Sequence, residues 1–117
     1  MSLEFGNQSK SYLSKLVRQG ANSFVSMGFE QITVDATIQR LTVPAGAKYA
    51  LCVIESDNTT AIVARCLQHY SSSLASGVGV PLKDGSTFDI TMTENLSGFC
   101  ITEEAAHTTI LNVEYFK

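Results

Sequence analysis

Tryptophan is absent from this sequence, histidine and proline occur twice each, and there are only three cysteines. Each shortage removes a class of function. His69 and His107 form no HxH or HxxxH pair, so the usual nucleus of a metal site is missing. Cys52, Cys66 and Cys100 are odd in number, have no CxxC spacing, and each sits in an apolar, strand-like run. That pattern argues against a disulfide framework or a zinc site and for buried free thiols made in a reducing cytoplasm. Charge is also scarce. Charged residues make up 16% of the chain, where a soluble domain carries about a quarter. Low charge on a folded domain is expected where a partner covers part of the surface.

The net charge is −3, and the eight basic residues (Lys10, Lys15, Arg18, Arg40, Lys48, Arg65, Lys83 and Lys117) are scattered. Without a basic patch, direct nucleic-acid binding is disfavoured. No apolar run approaches the ~20 residues of a membrane span, so no membrane partner is expected. The start, MSLEFGNQSK, has neither the basic opening nor the apolar stretch of a secretion signal.

What the sequence does have is apolar residues, 44% of 117, enough for one domain with a real core. Residues 1–28 read as an N-terminal arm or short helix. In residues 9–19, Tyr12, Leu13, Leu16 and Val17 fall at helical spacing, with Ser9 and Gly20 as candidate ends. So short a helix is marginal alone and needs a surface, on its own domain or on a neighbouring subunit. Residues 29–117 read as a β-sandwich domain. Ile32 and Val34 alternate with polar partners. Residues 37–43 (TIQRLTV) form a strand if a bulge at Gln39–Arg40 restores its phase. Pro44-Ala45-Gly46 is a tight turn, with proline setting its φ and glycine closing it. Residues 48–56 (KYALCVIES) are apolar almost throughout, as in a strand covered on both faces.

Residues 61–67 give another strand, and the Ser- and Gly-rich residues 70–81 a long surface loop. Asp84-Gly85 marks a hairpin-like turn. Residues 87–93 (TFDITMT) alternate cleanly, predicting that Phe88, Ile90 and Met92 face inward and Asp89 and Thr91 outward. Residues 98–102 and 108–116 complete an all-β fold, an antiparallel sandwich or jelly roll of about seven to eight short strands. Crossover helices for a parallel sheet are missing.

No catalytic constellation is legible, so no catalytic, cofactor-binding or metal-binding residue is assigned and the chain is expected not to be an enzyme. GxSxG is absent. Glu103-Glu104 would point to opposite faces of a strand or be solvated in a loop. A glycan platform lacks tryptophan; Tyr70, beside the Ser-rich loop, is the best exposed aromatic. The sequons at Asn58 and Asn95 read as chance matches.

One arrangement goes beyond composition. Ile32-Thr33-Val34 leads into RLTVPAGAKYALCVIE at residues 40–55. PLKDGSTFDI follows at 81–90, then LSGFCI at 96–101 and LNVEYFK at 111–117. This order resembles small β-sandwich structural proteins of tailed-bacteriophage virions, where a VPAGA-x-YAL turn and strand, an L-x-DG turn and a terminal LNV-x-Y strand recur. The likeness runs from Gly28 to Lys117 without the 70–81 loop. Where such proteins often carry a basic-aromatic strand and a DG…P loop, this chain has AIVARCLQHYSSSLASG. The resemblance implies a virion component without enzymatic activity, at the capsid surface (a decoration, or cement, protein) or in the tail or fibre. It implies major capsid protein or other virion proteins as partners, and a homo-oligomer, with a trimer favoured. Phe5, Tyr12, Leu13, Leu16 and Val17 of the arm, with Tyr70 of the loop, are the expected partner contacts.

Overall fold

The computed structural model describes residues 25–117. Residues 1–24 of the expected arm, with Phe5, Tyr12, Leu13, Leu16 and Val17, lie outside the described residues, while Ser26–Gly28, expected to end the arm, already pair within the first strand of the sandwich. Eight strands follow one another: β1 (Ser26–Val34), β2 (Gln39–Arg40), β3 (Tyr49–Ser56), β4 (Ile62–Leu67), β5 (Val80–Lys83), β6 (Thr87–Thr91), β7 (Cys100–Glu103) and β8 (Thr109–Phe116). One short helix among the described residues, α1 (Thr93–Gly98), stands between β6 and β7.

The pairing has a simple rule. β1 pairs with β8, β2 with β7, β3 with β6 and β4 with β5, all antiparallel. This is one long hairpin, strands one to four against five to eight, rolled up on itself. The roll is closed by β3–β8 and β4–β7. The result is two four-stranded sheets, ordered β1-β8-β3-β6 and β2-β7-β4-β5. An antiparallel sandwich with this order is a jelly roll.

The alternation of side chains fills the space between the sheets. Ile32, Val34, Ala50, Cys52, Ile54, Ile90, Leu111, Val113 and Tyr115 enter from the first sheet; Ala64, Cys66, Leu82 and Ile101 enter from the second. Leu96 of α1 and Phe99 plug one end, and Phe99 stacks on Phe88 with ring centroids 5.9 Å apart. Tyr115 is buried among these side chains, so its hydroxyl needs a partner. It donates to Glu30, whose carboxylate also accepts from the Thr42 amide at 2.8 Å. Burial first, then the Glu30 carboxylate, push the phenol well above its ordinary range.

On β3, Ala50, Cys52 and Ile54 are buried on the core side; on the opposite face Leu51 is buried, Tyr49 and Val53 are half-buried and Glu55 is exposed, so the run expected to be covered on both faces is so at Leu51. Several local expectations need correction. Residues 37–43 do not form a bulged strand; only Gln39 and Arg40 join the sheet. The Asp35 carboxylate accepts from the Thr37 amide at 2.8 Å and the Gln39 side chain at 3.0 Å, so a local turn claims the backbone that a strand would use. The irregularities in register fall instead at Ser26/Gly28 and Ile62/Ala64. Pro44 is the first residue of its turn, accepting from Ala47, and Gly46 supplies the positive φ of 88°. The Asp84-Gly85 turn joins no hairpin: β5 and β6 belong to different sheets. The turn is anchored to β3 by Gly85 N–H to Ile54 O at 2.8 Å and by Ser56 N–H to the Asp84 carboxylate at 2.9 Å.

Met92 does not face inward. It is 60% exposed, because the chain turns out of β6 there, at φ 79°, to start α1.

Candidate interaction surface

The second sheet turns a face away from the core, and the long loop covers it. Arg65 projects outward from β4. Its Nε donates to Glu104 Oε2 at 2.9 Å and its Nη1 to the carbonyl of Gly79 at 3.1 Å. Glu104 Oε2 also accepts from the Gly77 amide at 2.9 Å. Glu104 is therefore neither idle nor merely solvated. The Arg65 hydrogen bond first, then the Gly77 amide, hold its carboxyl below the ordinary carboxylate range. Leu74 is buried beneath the loop, and Gly79 passes so close that a Cβ there would stand 2.7 Å from Leu74 Cδ1 and 3.1 Å from the Cys66 carbonyl. Cys100 and Thr102, on the same outward face, are buried too. The 70–79 loop is thus an ordered cover fastened by one ion pair.

Tyr70 opens this loop. It is 42% exposed, with the Arg40 guanidinium 4.5 Å above its ring centroid. Arg40 Nη2 donates to the Ser97 carbonyl at 2.5 Å. At Gly98 a Cβ would meet the Gln68 carbonyl at 2.6 Å, so the end of α1 lies against the start of the loop. Arg40, Tyr70 and Ser97 therefore meet at one end of the roll. Sequence reading singled out Tyr70 but not Arg40 or Ser97. β2 and α1 are too short for a periodic signal, and nothing in spacing brings residues 40, 70 and 97 together.

The remaining candidate groups act locally. His107 Nδ1 lies 3.8 Å from Asp57, and its Nε2 is 3.4 Å from the Asn58 side-chain nitrogen. The Asn58 side-chain oxygen accepts from the amides of Thr60 and Ala61, which shapes the β3–β4 turn. All three cysteines are free and buried. Burial pushes the Cys66 thiol up to about 12 and that of Cys52 well above its ordinary value, so neither presents a thiolate. Among the described residues, no three His, Cys, Asp or Glu side chains gather as metal ligands, and no helix is long and apolar enough to cross a membrane.

Exposed large apolar side chains have a pattern. Val25 and Phe29 lie along or next to β1, at one edge of the sandwich, and Phe29 is 76% exposed. Val78 and Val80 lie at β5, at the opposite edge, and Val80 is 55% exposed. Tyr70 and Met92 are the other two among the described residues. Compared with family models, with curated proteins and with solved structures, the chain matches none.

Proposed function

We propose that this protein is a non-enzymatic structural component of a tailed-phage virion, a capsid decoration protein that binds the major capsid protein in many copies and stabilises the shell. The observation that carries the reading is the placement of apolar surface on two opposite edges of a rigid jelly roll. A contact joining one edge of a copy to the other edge of the next is heterologous, and such contacts form a ring when the rotation between copies closes. In a ring of three, avidity gives strength that one small domain lacks. The jelly roll is an architecture of viral capsid and lectin domains, and the motif order from Gly28 to Lys117 resembles virion sandwich proteins. The test is co-sedimentation of the purified chain with shells of the phage's major capsid protein. Saturable binding in a fixed ratio to capsid subunits is expected; a chain left in the supernatant at every concentration refutes the role.

A second reading, a tail- or fibre-associated receptor or glycan module, draws on the Arg40–Tyr70 stack. The guanidinium covers one face of the Tyr70 ring, so a sugar would meet its donors and the exposed part of the ring. Glycan-array binding that Tyr70→Ala abolishes would favour this role over the capsid.

A further inference from the structure

Among the described residues, four buried apolar ones lie outside the central core cluster: Leu51, Leu74, Cys100 and Phe116. Leu74 and Cys100 are explained by the 70–79 loop over the second sheet. Leu51 and Phe116 are not. Alternation on β3 and β8 sends Ala50, Cys52, Ile54, Leu111, Val113 and Tyr115 to the core, so Leu51 and Phe116 point off the outer face of the first sheet. There they should be wet, yet they are 3% and 4% exposed. Among the described residues no strand lies over that face, since the second sheet packs against the other side; the start of α1 reaches its border, where Met92, Thr93 and Glu94 line a small hollow beside Tyr49. Beside Leu51 is a hollow of about 230 Å³, bordered by Phe29, Leu51, Val53, Asn112 and Glu114.

We infer that the outer face of the β1-β8-β3-β6 sheet is the seat of residues 9–19 of the same chain, with Tyr12, Leu13, Leu16 and Val17 laid on Leu51, Val53 and Phe116. Three features select this occupant. The first is reach. The chain before Val25 enters this sheet at its edge strand, β1. Leu51 is two strands away, about 10 Å at the usual interstrand spacing, and the five residues 20–24 can span about 16 Å. The second is size. Eleven residues at the helical spacing the sequence predicts would measure about 16 Å, close to the width of four strands. The third is charge. Glu55, Asp89 and Glu114 alternate onto this same outer face, while the segment has Lys10, Lys15 and Arg18 and no acidic residue. Each sheet then has its own cover, the loop for one and the N-terminal segment for the other, and the edges remain as the open apolar surface. The inference rests on the fold and the sequence and does not depend on a virion role.

The test uses the full chain with Ser11→Cys carrying a nitroxide spin label; the native cysteines are buried. Paramagnetic broadening of amide resonances is read in labelled ¹⁵N protein, then in a mixture of labelled ¹⁴N chains with unlabelled ¹⁵N chains. The expected result is broadening at residues 51–53 and 112–114 in the first sample and none there in the mixture. Broadening at those positions in the mixture would assign the seat to a second copy and overturn the inference, as would broadening confined elsewhere or absent. Adding Leu13→Glu and Leu16→Glu should abolish the effect while the sandwich keeps its dispersed spectrum. Unchanged broadening in that variant would also overturn it.

Discussion

Ile90 shows how one side chain reports the facing of a strand. It lies opposite Ala50 and is fully buried between the sheets. Ile90→Ala should cost about 2–5 kcal/mol, as large-to-small core substitutions do, measured by urea unfolding at matched m-value. A loss under about 0.5 kcal/mol, the scale of surface changes, would mean that the strand does not face a packed core. Two residues away, Met92 obeys different physics. A side chain at φ 79° and ψ 139° occupies backbone space that costs a non-glycine residue about 1–3 kcal/mol. Met92 is exposed, so it loses little packing on removal. Met92→Gly should therefore leave stability unchanged or raise it by about 1 kcal/mol, since glycine's own entropic cost is about 0.5–1 kcal/mol. A clear drop in thermal midpoint would contradict this. Gly98 is the reverse case. A Cβ there would stand 2.6 Å from the Gln68 carbonyl, and Gly98→Ala should destabilise by about 1–3 kcal/mol, as overpacking does.

Among elements, legibility followed the strength of period-two alternation. Residues 87–91 announced β6, and the unbroken apolar run of 49–54 announced a strand covered twice. That second signal was stronger than its simplest meaning, because among the described residues no second sheet lies over Leu51. What could not be read were elements fixed by single hydrogen bonds. Asp35 shortens β2 through its side chain, and α1 follows a six-residue sequence that holds no helical period. The inward reading of Met92 failed because alternation was continued past the point where the strand ends. The loop cover was hidden for another reason. Arg65 and Glu104 are far apart in sequence, and only the closed roll brings their side chains to 2.9 Å.

That ion pair makes the loop cover sensitive to acid. Glu104 has a folded pKa below its ordinary value of 4.5, so it binds a proton less readily when the loop is fastened. Its contribution to closure is present in full above about pH 4.5 and is lost as pH falls through the lower, folded value. Amide exchange at Gly77, corrected for the intrinsic rate, should therefore accelerate relative to that of β3 as pH drops below about 4.5. Glu104→Gln should show the faster exchange already at neutral pH and lose the acid step. If Gly77 stays protected in that variant, the ion pair is not the fastening.

At the scale of the whole molecule, the sandwich class was legible because many short alternating strands and turns with no crossover helix leave few other architectures. Strand order was not, since it depends on which strands meet when the long hairpin rolls up. Apolar surface on opposite edges leads to the central claim, that the chain is a building block which closes into a ring. Static light scattering on a size-exclusion column tests it most directly. The account predicts a mass three times that of the 12.6 kDa chain, falling to a single chain in Val80→Asp with the sandwich intact. A wild-type protein that stays at one chain mass across its soluble concentration range would contradict it.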